Sequence, residues 1–382
     1  MKTKLVVVLL LFTLILTACT SPATSNEPPQ ASVDEATVAP AEAAEASASE
    51  AADVPTTDST VHATVLWRAF DDQYQSGFRV IMEDEAEKLG GFDIDMQDGE
   101  NDASKMTNKL EASLSKGTDV IAAIAVNSES TQSLMEKVKA DDVPIVFFNT
   151  IPSEETMNGY DKIWYVGADP KESGVMCAQA LINYWNNNTE IADKNGDGIL
   201  QLAILQGEIG HNDVILRTEA YEETLKAQGI EYEIVAMDTA NWDKGQALDK
   251  LNAWIAAYGI DGIEGVLANN DGMAMGAVQA ALNNDYNTGD PEKFLPVVGI
   301  DATLEALEAM KDGSLLGTVL NDRQNQSIAV LNIMKAAVDG VEVTSDVLGV
   351  DGVIDGKYVW IPYQIVDETN LDSTLELMLS TQ

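Results

Sequence analysis

Cysteine and histidine are almost missing from this chain, whose 382 residues contain two of each. Cys19 belongs to an N-terminal processing signal described below, so Cys177 can form no intramolecular disulfide in the mature body. His62 and His211 are too few for a histidine-rich zinc site. Cations are scarce as well: 22 Lys plus Arg stand against 63 Asp plus Glu, for a net charge of -41. That excess repels phosphate backbones and anionic lipid, which excludes nucleic acid as a partner. No Gly-x-Gly-x-x-Gly follows the first expected strand and no phosphate loop occurs, so a nucleotide is not the default ligand. Beyond the N-terminus no apolar run is long enough to span a bilayer.

What is present begins with a signal. Lys2 and Lys4 precede an apolar run over 5–16, then Leu16-Thr17-Ala18-Cys19. Residues 1–18 have the layout of a secretory signal peptide. The Leu-Thr-Ala-Cys ending resembles a bacterial lipobox, which implies cleavage before Cys19 and lipid on its sulfur. Residues 19–61 are rich in Ala, Ser, Thr, Pro and Glu with few large apolar side chains. Such a segment cannot bury enough surface to offset its ordering entropy, and it is expected to be a disordered tether.

From residue 62 the pattern alternates strand and helix. Residues 62–68 read as a strand and 74–89 as a helix closed by Gly90-Gly91. Phe92, Ile94 and Met96 alternate as a second strand, and Met106, Leu110 and Leu114 mark a helical face. The continuous apolar runs 120–126 and 144–148 suit strands buried on both sheet faces. Cys177, in an expected helix over 173–184, is a small core residue. The rhythm resumes with 202–205, a helix to 228, 231–236, a helix to 258, 265–268, a helix from Met273, and 296–300. Repeated βαβ units imply an α/β fold with parallel sheets and helices on both faces, in a chain long enough for two domains.

In open parallel sheets, ligands sit at the carboxyl ends of strands. Those places hold Asp71-Asp72, Asn149, Asn269-Asn270-Asp271, Asp301 and Asn321-Asp322. Each alone serves as a helix N-cap. Together, amides and carboxylates with few cations suit a neutral, hydroxyl-rich ligand. A second cluster lies between strands. Asp193, Asn195 and Asp197 occupy positions 1, 3 and 5 of an EF-hand-type calcium loop, with Gly198 at 6, the Ile199 carbonyl at 7 and Gln201 at 9. Position 12 is Ile204 instead of a bidentate Glu, so a cation here needs a carboxylate from elsewhere. The alternative is an Asp/Asn/Gly turn with no metal.

Several blocks carry a family likeness: Pro144-Ile-Val-Phe-Phe-Asn149, Gly207-Glu-Ile-Gly-His-Asn-Asp213, Asp238-Thr-Ala-Asn-Trp242, Ala268-Asn-Asn-Asp-Gly-Met-Ala-Met-Gly276 and Gly317-Thr-Val-Leu-Asn-Asp322. Over 62–363 the chain resembles the periplasmic galactose/glucose-binding proteins of ABC sugar importers. The resemblance implies two Rossmann-like lobes, 62–168 with 322–360 and 169–321 with 361–382. Three crossover strands would join them, near Gly167-Ala168-Asp169, Leu320-Asn321-Asp322 and Trp360-Ile361-Pro362. It implies sugar hydrogen bonds from Asp72, Asn149, His211, Asp213, Arg217, Asn270, Asp301 and Asn321, with the pyranose between Tyr74 and Trp242. It also supplies the missing carboxylate, Glu264, for a structural Ca2+ with Asp193, Asn195, Asp197, Ile199 and Gln201.

The function so implied is not enzymatic. A monomeric lipoprotein outside the cytoplasm would capture D-galactose or D-glucose, meet the membrane only through its lipid and deliver the sugar to an ABC permease. Arg68-Ala69-Phe70, Tyr74 and Asn212 depart from the family pattern, which leaves the choice among hexoses open. Two alternatives use the same residues. One is a sensory subunit for a chemoreceptor or kinase. The other is a glycoside hydrolase working through Asp72, Asp213 and Asp301, although the surrounding amides, Arg and aromatics suit holding a sugar more than cleaving it.

Overall fold

The computed structural model describes residues 60–380; the expected signal peptide, Cys19 and nearly all of the expected tether lie outside the described residues. The first sheet is built from β1 (Val61–Trp67), β2 (Phe92–Asp98), β3 (Val120–Ala123), β4 (Ile145–Phe148) and β5 (Ile163–Gly167). Its apolar runs work as the pattern predicts. Side chains alternate across a strand, so Val65 enters the core under helices Gln73–Leu89 and Arg323–Asp339, with Phe78, Phe148 and Met334. Its neighbour Leu66 enters the opposite core, with Met106, Leu110, Phe147 and Leu134 of helices Ala103–Lys116 and Ser130–Ala140.

The second sheet begins with β6 (Leu200–Gln206), β7 (Tyr232–Thr239), β8 (Gly265–Ala268) and β9 (Val297–Val298), ordered β7-β6-β8-β9 and parallel throughout. Ile204 packs with Cys177, Leu181 and Tyr221 of helices Pro170–Asn187 and Asn212–Ala227. Leu205 packs on the other side with Leu251 and Met273 of helices Lys244–Tyr258 and Asp271–Leu282. Cys177 is buried and free.

The remaining strands are short and antiparallel in part, which the βαβ rhythm did not foretell. β10 (Thr318–Leu320) pairs with β13 (Gln364–Val366), while β11 (Val353–Asp355) and β12 (Tyr358–Trp360) form a hairpin. That hairpin extends the first sheet to the order β11-β12-β5-β4-β3-β1-β2. Strands this short show no legible period. The run 120–126 is ladder only to Ala123, and 296–300 only at Val297–Val298. The β10–β13 pair adjoins the second sheet through single bridges from Val298 to Gly317 and from Asp301 to Leu320. The chain therefore passes between the two halves after β5, between β10 and helix Arg323–Asp339, and between β12 and β13. Among the described residues, no helix is long and apolar enough to cross a membrane.

Candidate functional site

The carboxyl ends of both sheets face one cavity, the place where open parallel sheets bind their ligands. Every residue assigned above to the sugar lines it: Asp72, Tyr74, Asn149, His211, Asp213, Arg217, Trp242, Asn270, Asp301 and Asn321. Arg68 and Gln75 complete the wall. Asp72 and Tyr74 follow β1, and Asn149 follows β4. His211 and Arg217 follow β6, Trp242 β7, Asn270 β8, Asp301 β9 and Asn321 β10.

Helix caps fix several of these side chains, so the capping and binding readings coincide. Asp72 Oδ1 accepts from Gln75 N at 2.9 Å and Asn270 Oδ1 from Met273 N at 2.9 Å. His211 Nδ1 accepts from Asp213 N at 3.2 Å, which leaves the proton of the neutral ring on Nε2. Burial lowers the His211 pKa and favours that neutral form, against the pull of Asp213.

The backbone around the cavity is unusual. Asn149, Asn241, Trp242, Asp301 and Ala302 all have positive φ, at 61°, 51°, 64°, 125° and 51°. Such conformations cost roughly 1–3 kcal/mol each in non-glycine residues and need surroundings that impose them. For Trp242 the surroundings are visible. Asn270 Nδ2 donates to its carbonyl at 3.3 Å, and the His211 ring meets the indole edge-on at 5.3 Å. Gly207 lies under the indole, where any Cβ would collide with the ring.

Arg217 is held from several sides. Nη1 donates to Asn269 O at 2.6 Å, Nη2 to Tyr363 Oη at 2.9 Å, and Nη2 lies 3.2 Å from Asp213 Oδ2. Burial opposes its charge, yet Tyr363, Asp213 and Asp301 outweigh that and raise its pKa. Four buried atoms of the wall make no hydrogen bond within the protein: Arg68 Nε, Tyr74 Oη, Arg217 Nε and Trp242 Nε1. All can donate, which is what a hydroxyl-rich ligand would accept.

Two buried acids shift upward. Burial pushes Asp301 up to about 8, against the pull of Arg217 and with the push of Asp271. Burial pushes Asp271 up to about 6, against hydrogen bonds from Thr318 Oγ1 (2.6 Å) and Thr303 N (2.7 Å). Both therefore hold protons in the folded state that they release when unfolded at the same pH. The stability they contribute is full below about pH 4 and is lost as pH rises through about 6 and about 8. Melting of the ligand-free protein from about pH 5 to about pH 9 should show Tm falling, and Asp301→Asn should flatten the upper part of that slope. An unchanged slope would remove Asp301 as its source.

The acidic loop lies at the other end of β6, before Leu200, roughly 20 Å of strand from the cavity. Asp193 Oδ1 accepts from Gly196 N at 2.8 Å and Oδ2 from Gly198 N at 2.9 Å. Asn195 Nδ2 lies 3.0 Å from Asp197 Oδ2 and 3.2 Å from Gln201 Oε1. Glu264, 1% exposed, accepts from Lys194 N at 2.6 Å and Gln201 N at 3.2 Å. Ile199 donates its N–H to Asp197 Oδ1 at 2.8 Å. Among the described residues no group of three or more His, Cys, Asp or Glu is close enough to hold a metal ion. The loop does bring Asp193, Asn195, Asp197 and Gln201 beside the buried carboxylate of Glu264, which comes from beside another strand.

Sequence reasoning missed Arg68 and Gln75 as wall residues. Arg68 stood out only as a departure from a pattern; its spacing of four from Asp72, to which Nη2 donates at 2.8 Å, was the available signal. Gln75 Oε1 accepts from Ala69 N at 3.4 Å, a contact with no local sequence mark.

Comparison with known proteins gives the architecture a family. Residues 63–342 match the model of the periplasmic binding protein domain. The D-galactose/methyl-galactoside binding periplasmic protein MglB of Haemophilus influenzae is 36% identical over 307 residues, covering 80% of this chain and 89% of that protein. A xylitol-binding protein of Mycolicibacterium smegmatis is 28% identical over 293 residues, covering 76% and 77%. Among solved structures, an ABC transporter solute-binding protein of Bacillus halodurans with bound myo-inositol superimposes with a TM-score of 0.69 at 25% identity, covering 84% of this chain and 99% of that one. With its parallel α/β sheets and its match to that family over most of its length, the chain belongs to the periplasmic binding proteins.

Proposed function

We propose that this protein captures a monosaccharide, D-galactose or D-glucose, outside the cytoplasm and hands it to an ABC permease. The carrying observation is the convergence of amide, carboxylate, guanidinium and aromatic side chains from both sheets on one cavity. Hydroxyls donate to Asp72, Asp213 and Asp301 and accept from Arg217, His211 and the amides of Asn149, Asn270 and Asn321. Tyr74 and Trp242 offer apolar faces to the C–H surface of a pyranose. The galactoside-binding relative supports the choice of sugar. Two lobes, 62–168 with 322–360 and 169–321 with 361–382, would close on the sugar because it touches both, shifting a population towards the closed form. Micromolar capture needs about −8 kcal/mol, within reach of several charge-assisted hydrogen bonds and ring stacking.

Asp72 and Asp213 are tied to Arg68 and Arg217, an arrangement that favours holding over hydrolysis. A sensory subunit would use the same cavity and differ only in its docking partner. Calorimetric titration with galactose, glucose, xylose and myo-inositol tests the reading, alongside incubation with aryl glycosides. Heat from a hexose without release of the aryl group is the expected result; silence with every sugar overturns it.

Calcium and lipid complete the proposal. Asp193, Asn195, Asp197, Gln201, Glu264 and the Ile199 carbonyl would hold Ca2+, whose charge offsets the crowded carboxylates and ties the loop to Glu264. A ligand at about 100 times its Kd adds about 2.7 kcal/mol. Chelation should therefore lower Tm by roughly 5–10 °C while hexose affinity stays within about twofold, and Glu264→Gln should reproduce the shift. Differential scanning calorimetry with and without chelator checks both; a Tm unmoved by chelator would leave the stretch as a turn. Lipidation at Cys19 predicts that Cys19→Ser moves the protein from the membrane fraction to the soluble one, as read by fractionation and immunoblot.

A further inference from the structure

We propose that Arg68 is a closure-determining residue of the site, one guanidinium tying the cavity carboxylate Asp72 to Glu208 on the opposite side of the cleft. The inference rests on the two-lobe reading above. Arg68 follows β1 of the first sheet, and Glu208 follows β6 of the second. Arg68 Nη2 lies 2.8 Å from Asp72 Oδ2, and Nη1 lies 3.4 Å from Glu208 Oε2. Among the described residues, this is the only ion pair joining a residue attached to the first sheet to one attached to the second. It also stands at the mouth. Arg68 lines the cavity and one adjoining opening, whereas Glu208 lines that opening and a second one.

The chemistry asks for arginine. A planar fork can hold two carboxylates at once, which a lysine ammonium, as a point charge, does less well. The Arg68 side chain is 8% exposed, so the contact with Asp72 is sheltered from salt; Glu208 is 34% exposed, so the cross-cleft half is open to screening. The two halves of the fork thus have different duties. One orients Asp72 towards the ligand, and the other biases the lobes towards closure. A pair that favours the closed form raises apparent affinity by populating the binding-competent state before sugar arrives. Its signature is salt-dependent closure and slower release.

The first arm of the test contains no sugar. Small-angle X-ray scattering would compare wild type, Glu208→Gln and Arg68→Met at low salt and at about 0.5 M salt, where screening acts within a few ångströms. Wild type should be more compact at low salt and expand with added salt. Both variants should already have the expanded dimensions and ignore salt. Glu208→Gln alters a partly exposed side chain and carries the test should Arg68→Met fail to fold. In the second arm, stopped-flow release of hexose should be about fivefold or more faster in each variant, with the double variant no faster than the quicker single one and Arg68→Lys intermediate. Variants indistinguishable from wild type in dimensions and salt response overturn the proposal. A wild type that expands with salt yet binds no hexose upholds the clamp while removing the sugar reading, so the two failures stay separate.

Discussion

Trp242→Ala should lower hexose affinity by about 100-fold or more, or roughly 2.8 kcal/mol, with secondary structure intact. A buried aromatic contributes about 1.5–3 kcal/mol through its area alone, and ring contacts add to it. The sharper form of this prediction uses a residue outside the cavity wall. Gly207→Ala places a methyl group into the indole and must tilt it, so it should reproduce most of the loss. In a Trp242→Ala background the same methyl meets no ring, and Gly207→Ala should then cost little more. Calorimetry on the four proteins of this cycle checks it, with circular dichroism reporting the fold. Additive losses from the two substitutions would show that the indole is not the surface Gly207 supports.

Arg217→Met should have the largest effect on the molecule as a whole. It leaves Asp213, whose side chain is 11% exposed, without its ion-pair partner and takes the donors from Asn269 O and Tyr363 Oη. Breaking one side of a buried pair typically costs about 3–5 kcal/mol, more than replacing both partners with apolar groups. Denaturant titration should show that loss, and sugar binding should vanish. Arg217→Met with Asp213→Leu should regain much of the stability and none of the binding. A double variant as unstable as the single one would mean that the damage lies in Tyr363, on the segment between β12 and β13, and not in the unpaired carboxylate.

Asp72, Asn149, Asn270, Asp301 and Asn321 were legible because of where parallel sheets put their strand ends, whereas Tyr74, His211, Asp213, Arg217 and Trp242 were marked only by the family resemblance. Asn270 and Asp72 are helix caps by local chemistry, and the fold turns those caps inward. Their two roles need the same residue type in the same place, so reading one gave the other. Arg68 and Glu208 were illegible for the opposite reason. They meet across 140 residues of chain, and nothing local to either marks the meeting. The short strands β11 and β13 went unread because three residues hold no period and their partners are set by tertiary contacts, while β10 and β12 lie where only the family resemblance put crossover strands. The positive φ at Trp242 is likewise imposed from outside the residue, by Gly207, Asn270 and His211, and no propensity would suggest it.

The return of β12 to a sheet that β1 began has a consequence for synthesis. Tyr358–Trp360 pairs with β5, so the first sheet lacks an interior strand until nearly the whole polypeptide has left the ribosome or crossed the membrane. By then the segments of the second sheet up to β10 have already emerged and can pair among themselves. The second half waits in turn for β13, which pairs with β10 and emerges after β12, so both halves are finished only by the last strands made and no single cut in the chain yields either half whole.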